Sequence, residues 1–311
     1  MIEIFRNPHY DFIGKRKWAY LASLAITVIG LASLAVQGLR YDIDFTGGTL
    51  VQVRFDEKPT IHKIRASLSS LGLGESVIQE FGESREYIIR LPLTSTTPEQ
   101  VGRKVEQALA SDPGLGKHEI RRVEFVGPQV GKDLQWQAIY AVLAGMAGIL
   151  LYIALRFDLK GGVAAVIAVF HDVIVCLGAI SLTHREFSLP VLAALLTIIG
   201  YSVNDTIVAY DRLRENRGKF GPRGRSFADQ MNDAVNQTLS RTVLTSLTTF
   251  MSTVILLIFG GKVLEDFAFV LFIGIITGTY STTYVAAALV VDWTYYVEGR
   301  VRRAKKAVAK A

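Results

Sequence analysis

The sequence contains a single cysteine, Cys176, among its 311 residues, and this scarcity excludes a disulfide within the chain. A complete nucleotide-binding loop is also missing. Three residues rather than four separate Gly127 from Gly131 ahead of Lys132, and Asp133 stands where such a loop requires Ser or Thr. We therefore expect any energy that the protein uses to come from a source other than nucleotide hydrolysis. We also expect that the protein is not an enzyme and needs no cofactor or metal.

Charged residues are scarce as well, at 20% of the chain, whereas 50% of the residues are hydrophobic and the mean hydropathy is +0.32. They are almost absent from six apolar runs, each about as long as the roughly 17–25 residues that a membrane-spanning helix needs. This pattern predicts an α-helical polytopic membrane protein with six transmembrane helices. The predicted spans are Trp18–Val36, Ile139–Leu155, Val163–Ser181, Leu189–Tyr210, Val243–Phe259 and Phe267–Val291.

A long polar stretch, residues 38–133, separates the first two spans and is large enough for one small domain. Within it Val51, Val53 and Phe55 alternate with polar residues, as in a half-buried strand. The stretch 97–100 carries Thr, Pro and Gln in the positions of a helix capping box. Together with the other periodic runs, these signals predict the order β-α-β-β-α-β of an α+β ferredoxin-like unit.

Basic residues cluster on one side of the predicted spans. Lysines and arginines crowd 15–17, 212–225 and 300–306, whereas the two short loops on the opposite side hold only Arg185 and Lys262. By the positive-inside rule, both termini lie in the cytoplasm and the α+β domain is extracytoplasmic. The net charge of +6 therefore indicates a membrane surface, rather than nucleic acid, as the partner. The expected segments are 1–37 (cytoplasmic N-terminus and first helix), 38–133 (extracytoplasmic domain), 134–293 (helices two to six with a basic cytoplasmic loop at 211–240) and 294–311 (basic cytoplasmic tail).

Two glycine-containing stretches border the α+β domain. Gly47–Gly48 predicts a turn or a close approach between backbones. At the other end, Val126–Leu134 contains Pro128 and two glycines, and this composition predicts a bent linker that can reorient the domain.

Asp205 is the most unusual residue of the fourth span, because a carboxylate near the middle of a spanning helix costs roughly 2.5–3.5 kcal/mol. Together with Asn204 and Ser202, it forms a polar group in an otherwise apolar run. Ionisable residues within a membrane usually face inward and serve a function. The alternative is a structural hydrogen bond between helices.

A second polar pair, His171–Asp172, lies in the middle of the third span. Adjacent residues of a helix diverge by about 100°, so the two side chains cannot both face one neighbouring helix. Two interpretations are open: Asp172 fixes a histidine tautomer or caps a helix, or the pair relays protons.

Arg241 lies near the start of the fifth span, where its side chain can either snorkel to the lipid headgroups or point inward. An inward role is favoured by a row of hydroxyl residues on the same helical face, and the fourth span offers a matching row. Because polar stripes in a membrane avoid lipid, we expect the two rows to face each other. The rows are Arg241, Thr245, Thr248, Thr249 and Ser252 on the fifth span and Tyr201, Ser202, Asp205 and Arg212 on the fourth.

Six stretches of the chain carry a family resemblance: Asp44–Thr49, Val126–Gly131, Phe170–Asp172, Ser202–Val208 with Tyr210–Arg212, Asn236–Thr249 and Gly278–Ser281. They resemble the SecF family, the smaller membrane subunits of the bacterial SecD–SecF accessory complex of protein export. The resemblance covers nearly the whole chain, and the stretches of the fourth and fifth spans are its most specific motifs.

The resemblance implies half of a resistance-nodulation-division-type transporter, with SecD supplying the other half. It implies that the proton motive force assists Sec-dependent export across the bacterial cytoplasmic (inner) membrane after ATP-driven translocation. The implied partners are SecD, the Sec channel SecYEG with its associated membrane factors, the unfolded exported polypeptide and protons, but no nucleic acid. The implied proton-transfer residues are Asp205, which carries the proton, and Arg241, which modulates it, with Asn204, Ser202, Thr245, Thr248, Thr249, His171 and Asp172 in support.

The proton-carrying role is physically reasonable, because burial raises the pKa of a carboxyl group and a nearby arginine lowers it. H⁺ and Na⁺ both suit a carboxylate among hydroxyls. Two other functions are open: a small-molecule or lipid exporter of the same superfamily, and a purely structural subunit. The outer domain of about 95 residues is small for an export duct, and a scaffold does not need a buried Asp205.

Overall fold

The computed structural model of the protein describes residues 8–81, 85–92, 97–220 and 225–308. Six helical segments of the described chain are long and apolar enough to cross a membrane. Each contains one of the predicted spans, so the prediction of a six-helix membrane protein with a small α+β domain is confirmed. In chain order the elements are α1 (Arg16–Gln37), β1 (Arg40–Tyr41), α2 (Ile43–Thr46), β2 (Gly48–Phe55), α3 (Ile61–Ser69), β3 (Val77–Glu80), β4 (Glu86–Leu91), α4 (Pro98–Ala110), a 3₁₀ turn (Pro113–Leu115), β5 (His118–Val126), α5 (Pro128–Arg156), α6 (Leu159–Leu182), β6 (Glu186–Phe187), α7 (Leu189–Phe220), α8 (Phe227–Phe259), α9 (Gly261–Tyr280), a π-helical segment (Ser281–Ala286) and α10 (Ala287–Val308).

The α+β domain is a four-stranded antiparallel sheet in the order β3-β4-β2-β5, with α3 and α4 packed against it. Val51, Val53 and Phe55 are fully buried, because alternate residues of β2 point toward these two helices. The backbone N–H of Thr97 donates to Gln100 in the predicted capping box of α4. The predicted β-α-β-β-α-β order of a ferredoxin-like unit is therefore confirmed.

Most of the predicted bent linker, Val126–Leu134, is the start of a helix, so a linker of that length is wrong. β5 ends at Val126, and α5 begins only two residues later, at Pro128. Proline suits the first position of a helix, where its fixed φ is already helical and its missing N–H is not needed. Gly131 serves close packing, since a Cβ there would lie 2.8 Å from the carbonyl oxygen of Phe45.

A second junction joins the domain to the membrane helices. β1 pairs in parallel with β6, which lies between α6 and α7. Beside this pair, Arg90 of β4 places Nε 3.0 Å from Asp42 and Nη1 3.0 Å from Glu186, and Nη1 also donates to Gln79 at 2.8 Å. These four residues are named the Arg90 cluster. Burial raises the pKa of Asp42 and of Glu186, and the positive charge of Arg90 opposes this shift.

Small residues allow the membrane helices to pack closely. A Cβ at Gly178 of α6 would lie 2.5 Å from the Cα of Gly30 in α1. A Cβ at Gly278 of α9 would lie 3.3 Å from the Cβ of Ser202 in α7. Contacts of this kind are typical of helix pairs in a membrane, where dispersion and hydrogen bonds replace the hydrophobic effect as the source of association.

The segment 211–240, the basic connection between the predicted fourth and fifth spans, is largely helical. α7 continues to Phe220 and α8 begins at Phe227, so both helices extend beyond the predicted spans. α10 likewise continues to Val308, into the predicted tail. The N-terminal segment packs on α8, where the side chain of Asn236 accepts from the Tyr10 N–H and donates to the Tyr10 carbonyl, both at 2.8 Å.

Candidate functional site

Asp172 of α6 is the best-satisfied buried carboxylate of the membrane helices. Its side chain is fully buried, and Oδ2 accepts hydrogen bonds from Ser202 of α7 at 2.6 Å and from Ser281 at 2.7 Å. Oδ1 lies 3.1 Å from Nδ1 of His171. The adjacent side chains thus contact each other, while Asp172 faces α7 and the ring of His171 lies toward Tyr280. The contact with His171 is compatible with the interpretation in which Asp172 fixes a histidine tautomer, and the bonds to Ser202 and Ser281 join α6 to its neighbours.

The π-helical segment that follows α9 contributes two hydroxyl groups to the polar cluster around Asp172. Its first residue, Ser281, donates to Asp172, and the hydroxyl of Thr282 donates to the carbonyl of Ser202 at 3.1 Å. The Thr282 hydroxyl also lies 3.1 Å from that of Thr206 in α7. Single π turns inside α-helices occur frequently at functional sites. Sequence reasoning missed Ser281, Thr282 and Thr206, although the Gly278–Ser281 motif was a signal that could have identified the first.

Asp205 lies one helical turn after Ser202 on α7, and its environment is very different from that of Asp172. It is 3% exposed, and its Oδ2 has no hydrogen-bond partner among the described residues. A buried polar atom without a hydrogen-bond partner lowers the stability of the fold by about 1–3 kcal/mol. Such atoms are uncommon in native proteins, and a functional role is one explanation for them. The neighbouring Asn204, predicted to support Asp205, is instead exposed on the surface of the chain.

Arg241 of α8 is exposed and forms no ion pair with Asp205 in the described part of the chain. Thr248 and Ser252 are exposed with it, whereas Thr245 and Thr249 are half-buried. The expectation that this whole row faces the fourth span within the chain is therefore wrong. The inward face of α8 carries Thr238, Thr242, Ser246 and Thr253 instead.

The reason is that the hydroxyls of the predicted row are already satisfied. Thr245, Thr248, Thr249 and Ser252 each donate to the backbone carbonyl four residues earlier in α8. Their donors are therefore used within α8 itself. As for metals, the described residues contain no group of three or more His, Cys, Asp or Glu side chains that could hold an ion.

Comparison with known proteins identifies the family. Residues 105–295 match the family described as Protein export membrane protein SecD/SecF, C-terminal, and residues 32–59 match the SecD/SecF GG Motif. The protein translocase subunit SecF of Calditerrivibrio nitroreducens is 43% identical over 291 residues, which cover 93% of this chain and 96% of the relative. The chain belongs to the SecF family. SecF of Pseudomonas aeruginosa is 39% identical, with 90% of each chain covered.

Two solved structures of a longer relative, SecDF, are similar to this SecF-family chain over part of their length. The crystal structure of SecDF, a translocon-associated membrane protein from Thermus thermophilus, matches with a TM-score of 0.81 at 42% identity. The match covers 93% of this chain but 39% of that one, so the chain spans about two fifths of the fused protein. A SecDF structure in a super-membrane-facing form gives a TM-score of 0.72 and covers 99% of this chain and 41% of that chain. The fused relative links a SecF-family chain to a SecD partner.

The SecD/SecF glycine motif has a visible structural reason in this chain. Gly47 has φ +75° and Gly48 has φ +155°, both in a region that side chains disfavour. A Cβ at Gly48 would also lie 2.5 Å from the carbonyl oxygen of Leu91. The predicted turn with a close backbone approach is therefore confirmed.

Proposed function

We propose that this chain is the SecF half of a proton-driven SecD–SecF unit that assists Sec-dependent protein export across the bacterial cytoplasmic membrane after ATP-driven translocation. The observation that carries the proposal is the Asp205 carboxylate, which is buried in a membrane-spanning helix and whose Oδ2 has no hydrogen-bond partner among the described residues. Asp172, the other buried carboxylate of these helices, is satisfied by its own neighbours and is assigned a structural role.

The exposed row on α8 supports a partner subunit in the membrane. Arg241 lies near the start of the fifth span, where its exposed side chain can reach toward water, lipid headgroups or the polar surface of a partner. Arg241, Thr248 and Ser252 are all exposed on the same side of α8. A SecD subunit that covers this face would bury the row near Asp205, and the proton would pass between the two subunits.

The energy available from a proton is sufficient for such a role. One elementary charge that crosses 100 mV yields about 2.3 kcal/mol, which is enough to shift a two-state equilibrium about fiftyfold. The balance between burial and the charge of Arg241 would decide whether Asp205 holds the proton. We include in the proposal that the chain is not itself an enzyme and that its energy comes from the proton motive force.

We also propose how the chain is oriented in the membrane. With the basic clusters in the cytoplasm, both termini are cytoplasmic and the α+β domain is extracytoplasmic, on the side where the polypeptide emerges from the Sec channel. The domain would then contact the unfolded polypeptide, together with the outer domain of SecD.

Export of a reporter precursor tests the proposal. Cells depleted of their own SecF receive this chain with its matching SecD, or the same pair with Asp205→Asn or Asp172→Asn. We expect the native pair to restore export, and Asp205→Asn to reach the same membrane level without restoring it. Asp172→Asn should instead lower the amount of folded chain, because the single amide oxygen of asparagine cannot replace both carboxylate oxygens that contact His171, Ser202 and Ser281.

Two outcomes would contradict the proposal. If Asp205→Asn restores export fully, Asp205 has no role in energy coupling. If the native pair fails to restore export at a normal membrane level, the export role itself is wrong. Proton and sodium uptake by proteoliposomes containing the native pair then separates H⁺ from Na⁺ coupling.

A further inference from the structure

A cavity of about 290 Å³ lies at one end of the membrane helices, away from Asp205 and from the α+β domain. It is lined by the junction between α5 and α6, the last turns of α7, the first residue of α8 and one residue of α10. The residues that matter here are the cationic Arg214 and Arg217, the acidic Asp158 and the apolar or aromatic Phe157, Tyr210, Leu213, Phe227 and Val290.

The two arginines of the cavity have no acidic partner among the described residues. Nη1 of Arg214 donates to the backbone carbonyl of Arg156 at 3.1 Å, and the guanidinium of Arg217 lies 5.4 Å from the centre of the Phe227 ring. Arginines elsewhere in this region are paired: Arg156 with Asp211, Arg212 with Glu215 and Arg225 with Asp233. Two adjacent cations therefore keep donors available for an anion.

The one acidic residue of the cavity does not neutralise this charge. Oδ1 of Asp158 accepts the backbone N–H of Gly161 at 2.6 Å and so caps the start of α6. A carboxylate in this position interacts favourably with the positive end of its own helix. The cavity consequently keeps a net positive charge from Arg214 and Arg217.

The floor of the cavity consists of buried, mostly apolar side chains. Tyr210, Leu213 and Val290 are each less than 9% exposed, and the Tyr210 hydroxyl is already used in a bond to Ala286. The neighbouring junction of α5 and α6 exposes Leu155 and Leu159 to 79% and 63%. A ligand for this place thus needs an anionic group that meets the arginines and an apolar part that extends along exposed helix surface.

We propose that Arg214 and Arg217 bind the headgroup phosphate of an anionic phospholipid in this cavity. Guanidinium groups match phosphate oxygens with paired donors, and basic pockets between membrane helices are known to bind lipid headgroups. A soluble phosphate would use the arginines alone and leave the apolar walls and exposed leucines without a contact. The position at the ends of the spans is the depth at which phospholipid headgroups lie.

The test uses the full chain, purified with its SecD partner and transferred into detergent micelles that contain phosphatidylglycerol or phosphatidylcholine. Native mass spectrometry at increasing lipid fractions gives the apparent affinity for each lipid. Each arginine near a membrane surface contributes about 1 kcal/mol, so the double variant Arg214→Gln/Arg217→Gln should bind phosphatidylglycerol about thirtyfold more weakly. Phosphatidylcholine binding should not change.

The matched control is the double variant Arg212→Gln/Arg225→Gln, which removes the same charge from paired arginines outside the cavity. It should keep native affinity for phosphatidylglycerol. The variant Arg214→Lys/Arg217→Lys keeps the charge and should retain part of the affinity, and an unchanged thermal midpoint shows that each variant is folded.

Three results would overturn the proposal. The first is equal loss of phosphatidylglycerol binding in the cavity variant and in the control, which would mean a general charge effect. The second is equal affinity of the native protein for both lipids. The third is displacement of the bound lipid by millimolar inorganic phosphate, because the site would then bind soluble phosphate.

Discussion

The Arg90 cluster allows a sharp prediction about how the α+β domain is held on the membrane helices. Arg90→Gln removes the cation that lies 3.0 Å from both Asp42 and Glu186. The side chains of Arg90, Asp42 and Glu186 are 14%, 7% and 19% exposed, so the two carboxylates would be left largely buried and unpaired. Gln79 can still donate to Glu186, at 3.4 Å, but carries no charge.

Breaking a buried ion pair by removal of one partner costs about 3–5 kcal/mol, and the partial exposure of Glu186 favours the lower end of that range. We therefore expect the free energy for opening the junction to fall by about 3 kcal/mol at pH 7.5. This corresponds to an opening equilibrium more than a hundredfold larger. Asp42 reports the opening directly, because its N–H donates to the Phe187 carbonyl across the junction at 3.0 Å.

The pH dependence has a defined sign. Burial raises the pKa of Asp42 and Glu186 above the ordinary values of 3.8 and 4.5 in the native protein, and Arg90 counteracts this shift. A carboxyl group with a raised pKa binds more protons in the folded state, so its contribution to stability is largest below its ordinary pKa and declines as pH rises through the raised value. Without Arg90 both pKa values rise further. The penalty of Arg90→Gln should therefore be smaller at pH 5 than at pH 7.5.

Hydrogen–deuterium exchange of the segment that contains β1 and Asp42 measures this opening at both pH values, after correction for the intrinsic exchange rate. Lys58→Gln is the control, because the Lys58–Glu80 pair lies in the same domain with side chains 51% and 38% exposed. An exposed pair of this kind contributes under about 1 kcal/mol. Exchange of Arg90→Gln within twofold of the native rate, or an equal penalty at both pH values, would refute the reasoning.

Two smaller predictions concern helix packing and helix ends. Gly178→Val should lower the thermal midpoint by several degrees, since a Cβ there would lie 2.5 Å from the Cα of Gly30, whereas Gly145→Val, with no atom within 4 Å, should not. Ser226→Ala removes the acceptor for the Asp229 N–H at the start of α8 and should cost about 1 kcal/mol, measured as faster hydrogen exchange in that first turn.

The elements with strong local signals could be predicted from the sequence. Six apolar runs of sufficient length are enough to place the membrane helices, because no other structure satisfies backbone hydrogen bonds in lipid. The alternation of Val51, Val53 and Phe55 identified β2, and the capping residues of 97–100 identified the start of α4. These signals need only neighbouring residues to be interpreted.

Features that depend on distant contacts could not be predicted. Pro128 and Gly131 are as compatible with a flexible linker as with a helix start, and only the approach of Phe45 to Gly131 decides between them. The π-helical segment has no local sequence pattern of its own, so the contact of Ser281 with Asp172 was missed. Arg241 and Thr248 form a helical row whichever surface they meet, and the sequence of one subunit cannot reveal a partner that covers them.

The different environments of Asp172 and Asp205 decide how a proton could act on this fold. Asp172 ties α6 to α7 and to the π-helical segment through hydrogen bonds to Ser202 and Ser281. A hydrogen bond contributes about 0.5–1.5 kcal/mol net, so we expect these contacts to favour movement of the three elements as one unit. Asp205 lies on the same helix α7, but its Oδ2 is bound to none of them. If Asp205 takes up the proton, as we propose, the response must therefore occur at the face that α7 shares with α8 and with the SecD partner, rather than within the helices that Asp172 holds together.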